Sequence, residues 1–214
     1  MENAERRIVL TYAPTRPARD ALAALLALDD RLGETLRTTS EPMLGQIRLQ
    51  WWHDALCRLD AAPPPAEPVL EGIARHVVSE GVTGAMVAEI VDGWQVLLQE
   101  QLDEVALRSF AGRGGRLFAL AARLADAAPG DPVALAGEGW ALADVALRLS
   151  DPGEAAAARR MAEAGLSEAL AVRWSRNARA LGAMAHLARL DLAGEAPGSP
   201  KRTGRALWHR VTGR

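Results

Sequence analysis

The chain has 214 residues and a formal net charge of −2 at pH 7, so it lacks the overall basic charge that is typical of proteins that bind nucleic acid. Hydrophobic residues make up 49% of the sequence but aromatic residues only 4%, and alanine, leucine and valine dominate the apolar part. This length and composition suffice for one domain with a sizeable core. Because alanine and leucine favour helices over strands, the composition predicts an all-α fold.

The sequence shows no sign of secretion or of a membrane span. The apolar stretch before Pro14 is too short for the core of a signal peptide. The longest apolar run, residues 21–28, is far shorter than the roughly 20 residues needed to cross a bilayer. The single cysteine, Cys57, cannot form an internal disulfide and suits a reducing compartment. We therefore expect a cytoplasmic protein.

Capping residues followed by proline in a first helical turn mark the beginning of four helices. These caps are Thr15, Ser40, Asp131 and Asp151. With the other glycine and proline breaks, they predict a single bundle of about eight helices. The predicted helices span 17–37, 41–60, 69–79, 83–101, 103–126, 132–149, 152–164 and 167–193. The helical domain is predicted to occupy residues 1–194, and a basic tail, residues 195–214, follows it.

The second predicted helix is apolar on two sides. One stripe consists of Leu44, Ile47 and Trp51, and the other of Leu49, Trp52, Leu56 and Leu59. We therefore expect this helix to be mostly buried. Arg48 lies within the pattern, and a buried guanidinium requires either an acidic partner or a bound anion.

The stretch SEPMLGQIRLQWWHDAL, residues 40–56, resembles the segment that follows the first helix pair in squalene/phytoene synthase-like proteins. Further similarity, in the same order and at similar spacing, occurs in 90–93, 110–124, 139–143 and 147–148. The resemblance covers nearly the whole chain and implies the all-helical isoprenoid synthase fold. Active members of that family join two prenyl diphosphates head to head, and two aspartate-rich stretches on facing helices hold Mg²⁺ against the diphosphate.

The family's acidic motifs are incomplete in this sequence. Asp29, Asp30 and Glu34 resemble the first motif, but the register set by residues 40–42 places that motif at 33–37, where only Glu34 is acidic. A salt-bridged or solvated helical turn, with Arg31 and Arg37 nearby as partners, is the alternative interpretation of these acids.

The second motif is expected around Arg148, where Leu149 stands in place of an aspartate. Asp144 lies one turn before Arg148 and can form an ordinary ion pair with it, and Asp151 can cap the next helix. A third familiar acid is missing from residues 94–98. Because of these departures, the chain resembles the branch of the family that keeps the fold but lacks synthase chemistry. The eukaryotic members of that branch are assembly factors for respiratory complex I.

Two hypotheses follow for function. In the first, the protein is non-catalytic, needs no cofactor and binds a prenyl or other lipid ligand or a protein partner. In the second, it is a Mg²⁺-dependent prenyltransferase acting on prenyl diphosphates, with Asp30, Glu34 and Arg48 as catalytic candidates. The metal ligands would then be Asp29, Asp30, Glu34, Asp144 and Asp151. The candidate substrate contacts are Arg48, Trp51, Trp52 and Arg148.

Residues 112–116, GRGGR, have the glycine content of a phosphate-binding loop, but no strand precedes them and no Lys-Ser/Thr pair follows. The resemblance implies that this stretch begins a helix, and that its glycines permit close contact with another helix. The histidines are scattered, and His76, His186 and His209 lack cysteine or carboxylate neighbours at metal-ligand spacing. No zinc site is predicted.

The basic tail combines cationic and apolar residues. Its cationic residues are Lys201, Arg202, Arg205, Arg210 and Arg214. Leu207, Trp208 and Val211 can share one helical face, so the segment 201–214 could rest on the anionic inner face of a membrane. The alternative is a disordered solubilising segment.

Overall fold

The computed structural model describes residues 3–39, 41–79 and 81–214, and within these ranges the chain forms helices and no β-strand. The all-α prediction is therefore confirmed. The ten α-helices of the described residues are α1 Asn3–Leu10, α2 Arg16–Arg37, α3 Pro42–Arg58, α4 Pro68–His76, α5 Gly84–Gln95, α6 Glu104–Leu124, α7 Val133–Ala146, α8 Pro152–Ala169, α9 Arg179–Leu192 and α10 Pro200–Thr212. Short 3₁₀ turns occupy Val96–Leu98 and Arg176–Ala178. None of the described helices is both long and apolar enough to cross a membrane.

Thr15 and Asp151 are the N-cap residues of α2 and α8, as the sequence predicts. The side chains of Thr15 and Asp151 each accept a hydrogen bond from the backbone N–H three residues later, at 3.2 and 2.8 Å. Asp131 does not cap α7: its carboxylate instead accepts the backbone N–H of Ser175 at 2.7 Å, which ties two loops together. The predicted cap Ser40 lies outside the described residues.

The predicted helix 167–193 is wrong in its first part. Residues 167–169 are the end of α8, and the next α-helix begins only at Arg179. Trp174 lies in the break between them. Its buried indole N–H donates to the carbonyl of Ala169 at 3.0 Å, and its backbone N–H donates to that of Gly213 at 2.9 Å. The contact with Gly213 involves the distant end of the chain, so no local signal in the sequence marks it.

The central helices are α6 and α7, which pack closely against each other. A Cβ atom added to Gly114 of α6 would lie 2.1 Å from the carbonyl oxygen of Gly137 of α7, so the two backbones touch where neither residue has a side chain. This confirms that glycines within 112–116 permit close helix contact, but the stretch lies in the middle of α6 and does not begin a helix. Around this pair, α6 also packs on α5 and α2, and α7 on α8 and α9.

Only one of the two apolar stripes of α3 is buried, so the expectation of a mostly buried helix is wrong. Leu49 and Leu56 are fully buried, and α3 packs through this side chiefly on α5. The opposite stripe faces solvent, with Ile47 60% and Trp51 44% exposed. Met43 and Leu44 extend that exposed stripe.

Most of the segment predicted as a basic tail forms the helix α10, which is ordered and packed. The alternative of a disordered solubilising segment is therefore wrong for these residues. α10 packs on α9 and is held by a buried ion-pair cluster. Arg202, which is fully buried, donates to both carboxylate oxygens of Glu5 on α1, at 2.7 and 2.8 Å, and to Asp191 on α9 at 2.6 Å. The packed bundle therefore extends to Thr212, and α1 and α10 are the two helices that the sequence analysis missed.

Candidate functional site

A polar cavity of about 160 Å³ lies where α1, α2, α5 and α7 meet. Its lining residues are Arg6, Leu26, Asp29, Asp30, Gly33, Arg37, Trp94, Trp140, Asp144 and Arg148. A second, more apolar cavity of about 560 Å³ shares half of this lining. It is completed by Leu36, Leu97, Leu102, Phe110, Val145 and Leu149. The two adjoining spaces form a site with a charged part and an apolar part.

Arg113 of α6 forms the buried electrostatic centre beside this site. Its guanidinium has no exposed surface and donates from Nη1 to Oδ1 of Asp29. The guanidinium carbon lies 4.1 Å from the ring centroid of Trp94 and 4.4 Å from that of Phe110, within cation–π range. The indole N–H of Trp94 donates to the same Asp29 oxygen at 3.0 Å. Asp29 is thereby fixed by both α5 and α6.

Every aspartate of the site faces an arginine. Asp29 pairs with Arg113, Asp30 with Arg6, and Asp144 with Arg148 at 2.7 Å. Arg37, which lines both cavities, has no carboxylate partner among the described residues. With Arg113 counted, four guanidinium groups face three carboxylates, so the site has a net positive charge and suits an anion better than a cation.

Three of the five predicted metal ligands line the polar cavity: Asp29, Asp30 and Asp144. Glu34 does not line either cavity and pairs on the surface with Arg31 at 2.8 Å. Asp151 is the N-cap of α8. Across the described parts of the chain, no group of three or more histidine, cysteine or acidic side chains is arranged to hold a metal ion.

The predicted burial of Arg48 is wrong. Arg48 is exposed, and its Nη1 donates to Oγ1 of Thr39 at 2.5 Å and to the carbonyl of Thr35 at 3.4 Å. The cause is the rotation of α3, which turns Trp52 inward and leaves Arg48 and Trp51 outside. None of these three side chains lines the two cavities, whereas Arg148, the fourth predicted substrate contact, lines both.

Sequence reasoning missed three arginines of the site: Arg6, Arg37 and Arg113. Arg6 belongs to a helix that was not predicted, and Arg37 was considered only as a partner for nearby acids. Arg113 carried the one usable signal, because it is a cation between glycines within an otherwise apolar stretch. A charge at such a position requires a buried partner.

Comparisons of the chain with protein-family models, curated proteins and solved structures find no match. Its function is therefore inferred from the geometry of the cavities and from the residues that carry the sequence resemblance.

Proposed function

We propose that the protein is a squalene/phytoene synthase-like binding protein that holds an anionic prenyl or other lipid ligand without converting it. The observation that carries this proposal is the arginine-rich polar cavity next to a larger apolar one. An amphipathic ligand with a phosphate headgroup matches both parts.

Arg37 and Arg148 are the residues that receive the headgroup. Both line the two cavities, and both are exposed enough to meet a ligand that enters from solvent. A guanidinium can donate two parallel hydrogen bonds to a phosphate and remains charged at any physiological pH. Because Arg37 has no carboxylate partner among the described residues, it can bind a phosphate without first breaking an ion pair.

The larger cavity accepts the apolar chain. Its volume of about 560 Å³ is within the range typical of sites for small organic ligands. Leucine and valine side chains dominate its far wall, so burial of a hydrocarbon there removes apolar surface from water on both sides.

Ion pairing argues against the metal-dependent reaction of active family members. Magnesium needs carboxylate oxygens that are free to coordinate it. Here Asp29 is held by a buried guanidinium, and separation of a buried pair leaves an uncompensated charge at a cost of about 3–5 kcal/mol. We therefore assign the three aspartates of the cavity the role of counter-charges to the arginines, in place of metal ligands.

The test is calorimetric titration with farnesyl monophosphate in the presence of EDTA. We expect binding without Mg²⁺, weakened at least about tenfold by Arg37→Gln and by Arg148→Gln, since each removes a charge-assisted hydrogen bond. Arg108→Gln is the matched control, because Arg108 is an exposed arginine in an i,i+4 ion pair, as Arg148 is. Absence of binding, or an equal loss in the control, contradicts the proposal.

A second candidate is the Mg²⁺-dependent prenyltransferase, favoured by one observation. Asp29 and Asp30 of α2 and Asp144 of α7 line a single cavity. An enzyme of this type releases pyrophosphate from farnesyl or geranylgeranyl diphosphate with Mg²⁺, and Asp30→Ala abolishes the release. Such turnover would replace the binding proposal.

A further inference from the structure

The helix α10 presents an apolar face to solvent, opposite the face that packs on the bundle. Trp208 is 58% exposed, Leu207 51% and Val211 70%, and at 100° per residue these three positions cluster on one side with Gly204. The buried positions Arg202, Ala206 and His209 lie on the other side. Exposed tryptophan, leucine and valine on the outermost face of a helix form a surface that favours an apolar environment.

This face is held rigidly outward. Arg202 anchors the first turns of α10 through its buried ion pairs with Glu5 and Asp191. At the other end, Nη1 of Arg179 donates to the backbone carbonyls of His209 and Arg210, at 3.1 and 2.5 Å. With both ends fixed, rotation of α10 cannot bury the apolar side chains.

Cationic side chains flank the apolar face. Lys201, Arg210 and Arg214 are exposed, and no acidic residue occurs anywhere in 200–214. The guanidinium of Arg210 lies 4.9 Å above the ring of Tyr12, which follows α1. Ile8 of α1, 45% exposed, shares a small surface pocket with Thr203 and Ala206 of α10 and so extends the apolar surface.

The acids that pair with α10 are fewer than its cations. Glu5 and Asp191 share Arg202, and Glu195 lies 3.1 Å from the ammonium group of Lys201. Three carboxylates thus face the five cationic side chains of residues 200–214, and Arg210 and Arg214 have no carboxylate partner among the described residues. The surface around the apolar face therefore keeps a positive charge, which complements an anionic partner.

We propose that α10 is a membrane-contacting helix that lies flat on an anionic lipid surface. Trp208, Leu207 and Val211 enter the boundary between headgroups and acyl chains, where indole rings are enriched in membrane proteins. Arg210 and Arg214 meet lipid phosphates on the flanks. Three apolar side chains between cations fit a lipid interface, and the inference does not depend on which ligand the cavities hold.

The test is flotation of the full chain with vesicles of phosphatidylcholine alone and of phosphatidylcholine mixed with phosphatidylglycerol. We expect binding to the anionic vesicles only, and loss of that binding at high salt because the electrostatic part is screened. Trp208→Ser/Val211→Ser is expected to weaken partitioning at least about tenfold by removing the inserted side chains. Lys201→Gln/Arg210→Gln is expected to weaken it by about fivefold for each charge.

Matched controls exist for both variants. Ile47→Ser/Trp51→Ser removes the same classes of exposed side chain from α3, and Arg16→Gln/Arg108→Gln removes two exposed cations elsewhere. Both controls are expected to bind as the unmodified chain does, and unchanged thermal midpoints show that all variants fold.

Three results would overturn the inference. The first is failure of the unmodified chain to float with anionic vesicles. The second is equal binding to neutral vesicles or an equal loss in a control. The third is a concentration-dependent dimer in light scattering that disappears in Trp208→Ser/Val211→Ser, which would assign the face to a second copy of the chain.

Discussion

Arg113 and Asp29 form an ion pair between α6 and α2 with almost no contact with solvent: the side chain of Arg113 is completely buried and that of Asp29 is 8% exposed. A buried pair of this kind contributes little net stability, but loss of one partner leaves the other charge in a medium of low dielectric constant. The pair therefore fixes the geometry of the cavity wall more than it stabilises the fold.

We predict that Asp29→Leu lowers the free energy of unfolding by about 3 kcal/mol, because the buried Arg113 guanidinium then keeps only the more distant Asp144, 3.8 Å from its Nη2, as a counter-charge. Urea denaturation monitored by circular dichroism measures the change. Asp30→Ala is the control, because Asp30 pairs with Arg6 at a site where its own side chain is 65% exposed, and such pairs contribute about 0–1 kcal/mol.

The double variant Asp29→Leu/Arg113→Met separates charge from packing. Removal of both charges is expected to recover most of the stability lost in Asp29→Leu. If Asp29→Leu proves no more destabilising than Asp30→Ala, the buried pair does not have the electrostatic role assigned to it.

A second prediction concerns the close approach of α6 and α7. Gly114→Ala is expected to destabilise by about 3 kcal/mol, because the added methyl group meets the backbone of Gly137, which cannot move alone. Gly112→Ala in the same helix is expected to be neutral or stabilising by up to about 1 kcal/mol. Its added Cβ meets only the flexible end of Arg116, at 3.1 Å, and alanine is the better helix former. Thermal denaturation of the two variants distinguishes them, and equal effects would contradict the close approach.

The two stripes of α3 provide a third prediction. Leu49→Ala is expected to cost about 2–5 kcal/mol through loss of buried surface and creation of a cavity. Ile47→Ala removes a side chain that is 60% exposed and is expected to change stability by no more than about 0.5 kcal/mol. Chemical denaturation of both variants measures this contrast, and a comparable loss in Ile47→Ala would mean that another part of the molecule covers the outer stripe.

The fourth prediction is loss of stability in mild acid. His186 and His209 are buried side by side with ring centroids 4.8 Å apart, and Arg205 lies within hydrogen-bonding distance of both nitrogens of His186. Burial, with the nearby arginines, lowers the pKa of His209 to about 4 and that of His186 to about 2. Both histidines are therefore neutral in the folded protein at neutral pH.

Below pH 6.5, the ordinary histidine pKa, the unfolded chain takes up protons that the folded chain refuses, so stability falls as the pH drops. Each histidine contributes a slope of about 1.4 kcal/mol per pH unit between pH 6.5 and its folded pKa. Urea denaturation from pH 7 to pH 4 measures the slope. His209→Gln should flatten it, whereas the exposed His76→Gln should not. An unchanged slope in His209→Gln would contradict neutral burial.

Local signals in the sequence were sufficient for most helices. Thr15 and Asp151 cap the helices that they were predicted to cap, because capping depends on residues three positions apart. α1 escaped prediction because it has only eight residues and lacks a capping signal in the sequence. The helical face of α10 was visible in the sequence, but Gly204, Gly213 and the high cationic content also fitted a disordered segment. The break at Trp174 likewise results from contacts with a distant segment.

The candidate site was predictable in its acids and in Arg148, but not in its other cations. Asp29, Asp30 and Asp144 could be selected by type and spacing, and the structure places all three at one cavity. The arginine partners of Asp29 and Asp30 lie on other helices, and pairing across helices depends on helix rotation. Helix rotation also determines which side of α3 is buried. Two apolar stripes were visible in its sequence, and the sequence did not indicate which of them faces the core.

The ion pair between Glu5 and Arg202 joins residues 197 positions apart. The residue next to Glu5, Arg6, forms part of the polar cavity and binds Asp30. Closure of so long a loop costs conformational entropy that only the completed contacts repay. The wall that α1 contributes to the cavity therefore depends on α10 as well as on the contacts of α1 with α2 and α9, so the two ends of the chain together complete the cavity.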